Sequence, residues 1–481
     1  MRKYLLIGVS AFVLGAGTMA YVSQQARATT GDRAQTYHML ELFGDVLDTV
    51  ERSYVTPVDD QQLIEAALDG MLTSLDPHSN YMNAQAFREM QDQTRGQYGG
   101  LGIEITSEDG VIRVVSPIDG TPAARAGILS GDYITAVNGQ SVLGMTVNDA
   151  VRQMRGREGE AVTVTIARPR VDPFDVRLIR EIIQPRAVVS RMEGDFGYLR
   201  LASFSERATE ETVRAITALR TQNPRMRGLV LDLRDNPGGL LNQAVGVADV
   251  FLDGGEVVSQ RGRNPQDIER YSARAGDMLN GLPVVVLINS GSASASEIVA
   301  GALQDRHRAE LVGLTSFGKG SVQTVLPLRG GLDGALKLTT ARYYTPSGRS
   351  IQRTGIEPDL EVARTRDQAQ QIANQAFQFS EATLRHSLTN DEDSRTRRGA
   401  HTPAEAPPAA FNEATGDFQL TRALDVLRSG GVARTPRLPA PTATLAQAAT
   451  ARQERLSSAG VTPPPANVPP STRPATVRPP R

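Results

Sequence analysis

Two short stretches of this chain are apolar without a break: Leu229-Val230-Leu231, which runs into Asp232, and Val284-Val285-Val286-Leu287-Ile288. A strand with one wet face alternates polar and apolar side chains, so an unbroken run must be covered on both faces. Around these runs lie another strand-like segment, Gly197-Tyr198-Leu199-Arg200-Leu201, and helix-like segments near Thr209–Thr221 and Ile298–Leu303. Strands alternating with helices predict an α/β layer architecture over residues 180–365.

Both apolar runs end in turns of small residues. The first leads to Asp235-Asn236-Pro237-Gly238-Gly239 and the second to Gly291-Ser292-Ala293-Ser294-Ala295-Ser296-Glu297, which opens the helix-like segment. Downstream, Phe317-Gly318-Lys319-Gly320 holds one of only three lysines among 52 basic residues; the others are Lys3 and Lys337. A guanidinium cannot give up its proton in a protein, whereas a desolvated ammonium can, so a lysine kept in a tight loop of an arginine-rich chain points to a titratable base. A serine hydroxyl needs such a neighbour to become a nucleophile. Keeping the ammonium neutral near pH 7 costs about 4 kcal/mol, a size that burial supplies. No acidic residue lies within four positions of Lys319.

These segments, with Gln323, resemble the carboxy-terminal processing peptidases, tail-specific serine proteases that use a Ser-Lys dyad. The resemblance assigns the nucleophile to Ser294, the base to Lys319 and the supporting residue to Gln323, at the family's spacings of 25 (319 − 294) and 4 (323 − 319). It implies a crotonase-like ββα core. If the alternating segment Ser321–Val325 begins as a strand at the loop, Lys319, Ser321 and Gln323 share a face, and the glutamine oxygen can accept from the lysine amine. The tetrahedral oxyanion needs backbone donors. Ala295 offers one, and the resemblance points to a glycine for the second, with Gly238 and Gly239 both carried. Ser292 and Ser296 are the rival nucleophiles.

Between the N-terminal region and this core, Tyr98-Gly99-Gly100-Leu101-Gly102-Ile103 is followed by short strand-like and turn segments as far as Arg168. This looks like a PDZ domain over residues 97–168. Gly100, Leu101, Gly102 and Ile103 would form its carboxylate-binding loop, where convergent backbone N–H groups hold a terminal carboxylate and the peptide adds as a strand.

Residues 29–95 read as helical, with Leu40, Phe43, Val46, Leu47 and Val50 at helical spacing before a turn at Leu75-Asp76-Pro77-His78-Ser79-Asn80-Tyr81, another segment the family shares. Residues 366–430 form a C-terminal helical region, and the Pro/Ala-rich tail 431–481 is expected to be disordered. Residues 1–28 hold Arg2-Lys3, an apolar stretch from Tyr4 to about Ser23, and Ala26-Arg27-Ala28. They read as an export signal, cleaved or kept as an anchor, which places the rest in the periplasm or on the outer face of the inner membrane.

Composition excludes other chemistries. Fifty-two basic against 53 acidic residues provide no basic surplus for nucleic acid, and no cysteine exists for a disulfide, a thiolate nucleophile or a Cys-based zinc site. Five scattered histidines do not suggest a metal centre, so no cofactor and no metal are expected. The expected partners are protein or peptide substrates with accessible C-terminal tails; a homo-oligomer or an adaptor protein stays open. Two rival functions fit the sequence less well. Gly313–Gly320 nearly spells a phosphate-binding loop, but Gly320 stands where Ser or Thr would hold magnesium, and a strand rather than a helix is expected to follow. A catalytically dead PDZ adaptor is opposed by the intact Ser294, Lys319 and Gln323.

Overall fold

The computed structural model describes residues 35–438 apart from 109–110, 119, 146, 265, 375–379 and 391–400. The export segment at 1–28 and the tail from 439 onward lie outside the described residues. Among the described residues, no helix is long and apolar enough to cross a membrane. The chain divides into two compact units: residues up to Phe87 with Thr324–Leu338, and Arg88–Gln323 with the residues from Thr339 onward.

In the first unit, helices span 35–53 and Asp60–Thr73. The expected helical periodicity is present, but much of its apolar stripe faces outward in this chain: Leu40 is 60% and Val46 54% exposed. The proline turn is closed by Asp76, whose carboxylate accepts from the His78 and Ser79 amides and the Ser79 hydroxyl at 2.7–2.9 Å. Strand Asn80–Met82 then pairs antiparallel with residues 335–337.

The larger unit carries a six-stranded sheet in the order Val188–Glu193, Phe196–Leu201, Leu229–Asp232, Val284–Ile288, Ala309–Gly313, Leu360–Glu361. The first pair is antiparallel and the rest are parallel. Side chains alternate between faces, and here both faces are covered. Leu229, Leu231, Val284, Val286 and Ile288 pack with helices Ala208–Gln222, Leu241–Phe251 and Ala295–Asp305. Val230, Val285, Leu287 and Val312 pack under the C-terminal helix Phe418–Ser429. That double cover is why the two runs are apolar throughout, and every residue of Val284–Ile288 is buried.

The PDZ sheet has the order Ile103–Glu108, Val111–Pro117, Tyr133–Val137, Ala161–Arg168, Val171–Ile179. After Arg168, where the module is expected to end, Val171–Ile179 folds back on Ala161–Arg168 as a further strand of the sheet, and Glu181–Ile183 pairs with Tyr98–Gly100. The two chain crossings into the module therefore lie side by side. Residues 431–438, expected to be part of the disordered tail, are instead ordered: Val432–Arg434 forms a single 3-10 turn, and the Val432 amide donates to Glu310 at 2.8 Å.

Candidate active site

Ser294 sits between strand Val284–Ile288 and helix Ala295–Asp305, with φ +55° and ψ −111°. A left-handed conformation at a non-glycine residue costs about 1–3 kcal/mol, so the surroundings must hold it. They do so through two turns locked together. The Asn289 side chain accepts from the Asp235 and Gly291 amides at 3.0 Å and donates to Asp235 at 2.8 Å. Asn236, fully buried, accepts the Gly238 amide at 2.9 Å and donates to the Leu201 carbonyl at 2.8 Å, while its own carbonyl accepts from the Ala293 amide and the Ser296 hydroxyl. Gly238 lies hard against the serine: a Cβ there would sit 2.9 Å from the Ser294 Cβ.

This lattice separates the three serines. Ser292 is buried and donates to the Leu233 carbonyl at 2.7 Å; Ser296 is buried and donates to Asn236 at 2.8 Å. Both hydroxyls hold the turns together. Ser294 is only partly buried. Its neighbour Ala295 is the first helical residue, so its N–H has no intrahelical acceptor.

At the glycine turn, Phe204 makes a parallel bridge with Gly239, its N–H donating to Gly238 and its carbonyl accepting from Leu240. In such a bridge the central residue's own N–H points away from the partner. The Gly238 amide is spent on Asn236, whereas that of Gly239 makes no hydrogen bond among the described residues.

Lys319 follows strand Ala309–Gly313 in a loop, and the next strand, Ser321–Pro327, begins two residues later. The lysine is thus not itself in the strand, and the shared face joins Ser321 and Gln323, whose Nε2 donates to the Ser321 hydroxyl at 2.9 Å and the Thr339 hydroxyl at 3.2 Å. With Nε2 so occupied, Oε1 is the end of the amide left to accept. A strand, not a helix, follows Lys319, and the flanking glycines serve close backbone approach: a Cβ on Gly320 would meet the Gln352 nitrogen at 2.4 Å.

The loop and the serine turn are joined by a residue to which the sequence reading gave no role. Glu297 is completely buried, and its carboxylate accepts from the Ser316 hydroxyl and Gly318 amide at 2.6 Å, the Ser294 amide at 2.7 Å and the Lys319 amide at 2.9 Å. Burial pushes its carboxyl up to about 7, against four donors that favour the ionised form. The absence of acidic residues near Lys319 in sequence therefore does not hold in space, since a carboxylate arrives from 22 positions upstream. The spacing Ser294-x-x-Glu297, that of a capping box, was the signal available.

Behind the glycine turn, buried Arg234 donates to Asp232 at 2.6 Å, to Asp417 at 2.7 and 3.0 Å and to Gln419 at 3.0 Å. Asp417 caps helix Phe418–Ser429, so that helix is anchored two residues before Asn236.

In the PDZ module, Leu101 is buried and its carbonyl accepts the Ala123 amide at 3.0 Å, while the Gly102 carbonyl accepts the Ile118 amide at 2.8 Å. Gly102 has φ +73°, and a Cβ there would lie 2.3 Å from Thr121. Both carbonyls are thus turned into the domain. Among the described residues, Ile103–Glu108 is a sheet edge paired only with Val111–Pro117, and its other side has no strand beside it.

Residues 195–362 match the model of Peptidase family S41, residues 113–168 that of a PDZ domain and residues 8–86 that of the Activating protease CtpB N-terminal domain. The chain is 48% identical to a carboxy-terminal-processing protease of Bartonella bacilliformis, over 87% of this chain and 95% of that one. It is 34% identical to the carboxy-terminal processing protease CtpA of Bacillus subtilis, over 75% and 77%. Among solved structures, a photosystem II D1 C-terminal processing protease is 32% identical with a TM-score of 0.41, over 66% of this chain and 92% of that one. The chain belongs to the carboxy-terminal-processing proteases of peptidase family S41, serine peptidases with a PDZ domain.

Proposed function

We propose that Ser294 is the nucleophile and Lys319 its general base, with Gln323 aiming the amine and the Ala295 and Gly239 amides receiving the oxyanion. The observation that carries this reading is the Glu297 carboxylate, which binds the backbone amides of Ser294 and Lys319 together. No other serine and lysine of the chain are so joined among the described hydrogen bonds.

In the first half-reaction Ser294 Oγ bonds to the scissile carbonyl carbon as its proton passes to neutral Lys319. The tetrahedral oxyanion is held by the two amides; its collapse breaks the C–N bond, and the departing amine takes the proton from Lys319. In the second, Lys319 draws a proton from water as the water attacks the Ser294 ester, and the proton returns to Ser294 Oγ on release of the acid. The substrate's C-terminal carboxylate is received by the Gly100–Ile103 loop while its tail adds along Ile103–Glu108. The reaction takes place outside the cytoplasm, a placement that rests on Arg2-Lys3 and the apolar stretch after it.

Ser294→Ala should abolish hydrolysis of a fluorogenic peptide while a tail peptide still binds. Unchanged cleavage overturns the nucleophile. Fusion of residues 1–34 to alkaline phosphatase tests the location: active enzyme is expected, and an inactive cytoplasmic fusion contradicts it.

A further inference from the structure

We propose that Ser380–Asn390, a segment downstream of the matched protease region 195–362, is a strap that holds the lysine loop at backbone groups other than those bound by Glu297, and that Gln352 and Glu381 are positioning residues for Lys319. The inference rests on Lys319 being the general base.

A loop that must present one amine in one direction needs each of its peptide groups held. All four N–H groups of Phe317–Gly320 are engaged: Phe317 to the Ser292 carbonyl at 3.0 Å, Gly318 and Lys319 to Glu297, and Gly320 to Gln352 Oε1 at 3.0 Å. Glu297 takes the two central amides, and Gln352 with the strap holds the flanking Gly320 amide and Phe317 carbonyl.

Gln352 is fully buried. While its oxygen takes the Gly320 amide, its Nε2 donates to Glu381 Oε1 at 3.0 Å and to the Leu388 carbonyl at 3.1 Å. Glu381, also fully buried, donates its backbone N–H to the Phe317 carbonyl at 3.1 Å and accepts from the Ser387 hydroxyl at 3.3 Å. The remaining ties run the same way. The Arg353 amide donates to Gly318 at 2.8 Å, its guanidinium donates to Ser387 at 3.2 Å, and Asn390 donates to the Gln352 carbonyl at 2.8 Å. The strap thus fixes both residues that bracket the Gly318-Lys319 pair, Phe317 directly and Gly320 through Gln352.

Buried polar side chains spent on a loop backbone indicate a position the chain must hold, since each unmet group inside the protein is costly. Here the held position is that of the base. Gln352→Leu removes the acceptor of the Gly320 amide and the donor to Glu381 together; Glu381→Ala keeps the backbone bond to Phe317 but removes the carboxylate that orients Gln352; Glu381→Gln keeps an acceptor oxygen in place.

The experiment measures kcat, KM and the pH dependence of kcat/KM on a fluorogenic peptide for the full chain carrying each substitution, beside Lys319→Ala, with tail-peptide binding as the report of a folded PDZ module. A displaced base loses about a hundredfold. The expected result is that kcat falls about that far for Gln352→Leu and Glu381→Ala, with KM within about threefold and the acid limb of the profile moved, while Glu381→Gln stays within about threefold of the parent. If Gln352→Leu does not fold, the contrast between Glu381→Ala and Glu381→Gln decides. Parental kcat and profile in Gln352→Leu or Glu381→Ala, with Lys319→Ala dead, overturn the strap and leave the dyad standing; activity in Lys319→Ala overturns the base assignment beneath it.

Discussion

Glu297→Gln separates stability from catalysis. The substitution preserves shape but replaces one carboxylate oxygen with an NH2 group facing two donors, either the Ser316 hydroxyl and Gly318 amide or the Ser294 and Lys319 amides. One half of the bridge is therefore lost whichever way the amide turns. Two unmet buried donors cost about 1–3 kcal/mol each. Against this, the parent carries a buried charge whose carboxyl titrates at about 7 instead of its ordinary 4.5, a gap worth about 3 kcal/mol at pH 8. The two effects nearly cancel, so at pH 8 the variant should lie between about 1 kcal/mol more stable and 3 kcal/mol less stable than the parent. The pH trend has a definite sign. A carboxyl that titrates higher folded than unfolded leaves the folded state holding more protons between pH 4.5 and 7, so its contribution is full below 4.5 and fades as pH rises through about 7. Glutamine does not titrate. Relative to the variant, the parent should lose about 3 kcal/mol between pH 4.5 and 8 in urea unfolding, while the variant's kcat falls about a hundredfold because the bridge keeps only one of its two accepting oxygens and no longer holds the serine turn and the whole lysine loop at once. Parental kcat in a folded Glu297→Gln protein would refute the bridge.

Three further outcomes are expected. Gly238→Ala must place a Cβ 2.7 Å from the Ala293 carbonyl at φ +101°, and kcat should fall about 10²–10³-fold with the fold intact by circular dichroism; parental kcat contradicts the packing. Asp417→Ala unpairs one side of buried Arg234 and should cost about 3 kcal/mol in urea unfolding, with a loss of kcat that follows from the anchoring of the Asp235–Gly239 turn; an unchanged midpoint contradicts the role of the C-terminal helix. Gly102→Val, at φ +73° with Thr121 at 2.3 Å, should abolish tail-peptide binding in calorimetry, and retained affinity contradicts the placement of the carboxylate loop.

What could be read from the chain alone is what short-range pattern determines. Five consecutive buried residues at Val284–Ile288 announce a doubly covered strand, and the small residues after it announce a tight entry into a helix. The helix Phe418–Ser429 that covers the second face was legible as part of the helical region 366–430 but not as the sheet's other wall, because nothing local says where an amphipathic helix docks. The two bridges to the lysine loop were hidden for a related reason. Glu297 reaches Lys319 across 22 positions and Gln352 reaches Glu381 across 29, and the irregular strap has no period to detect. On helix 35–53 the periodicity was correct yet said nothing of burial, since the apolar stripe of Leu40 and Val46 faces outward in this chain. The strand Val171–Ile179 beyond the PDZ segment was not legible, because four of its first six residues are exposed or charged and it is held in place by the ladder to Ala161–Arg168.

The most direct test of the account is the kcat/KM of Lys319→Arg against that of the parent, on one fluorogenic peptide from pH 6 to 9, with tail-peptide binding as the control for a folded protein. Arginine keeps the charge and approximate length but cannot give up its proton, so hydrolysis should fall by about 10⁴-fold or more at every pH. A Lys319→Arg protein that retains activity within about tenfold of the parent would contradict the Ser294–Lys319 dyad.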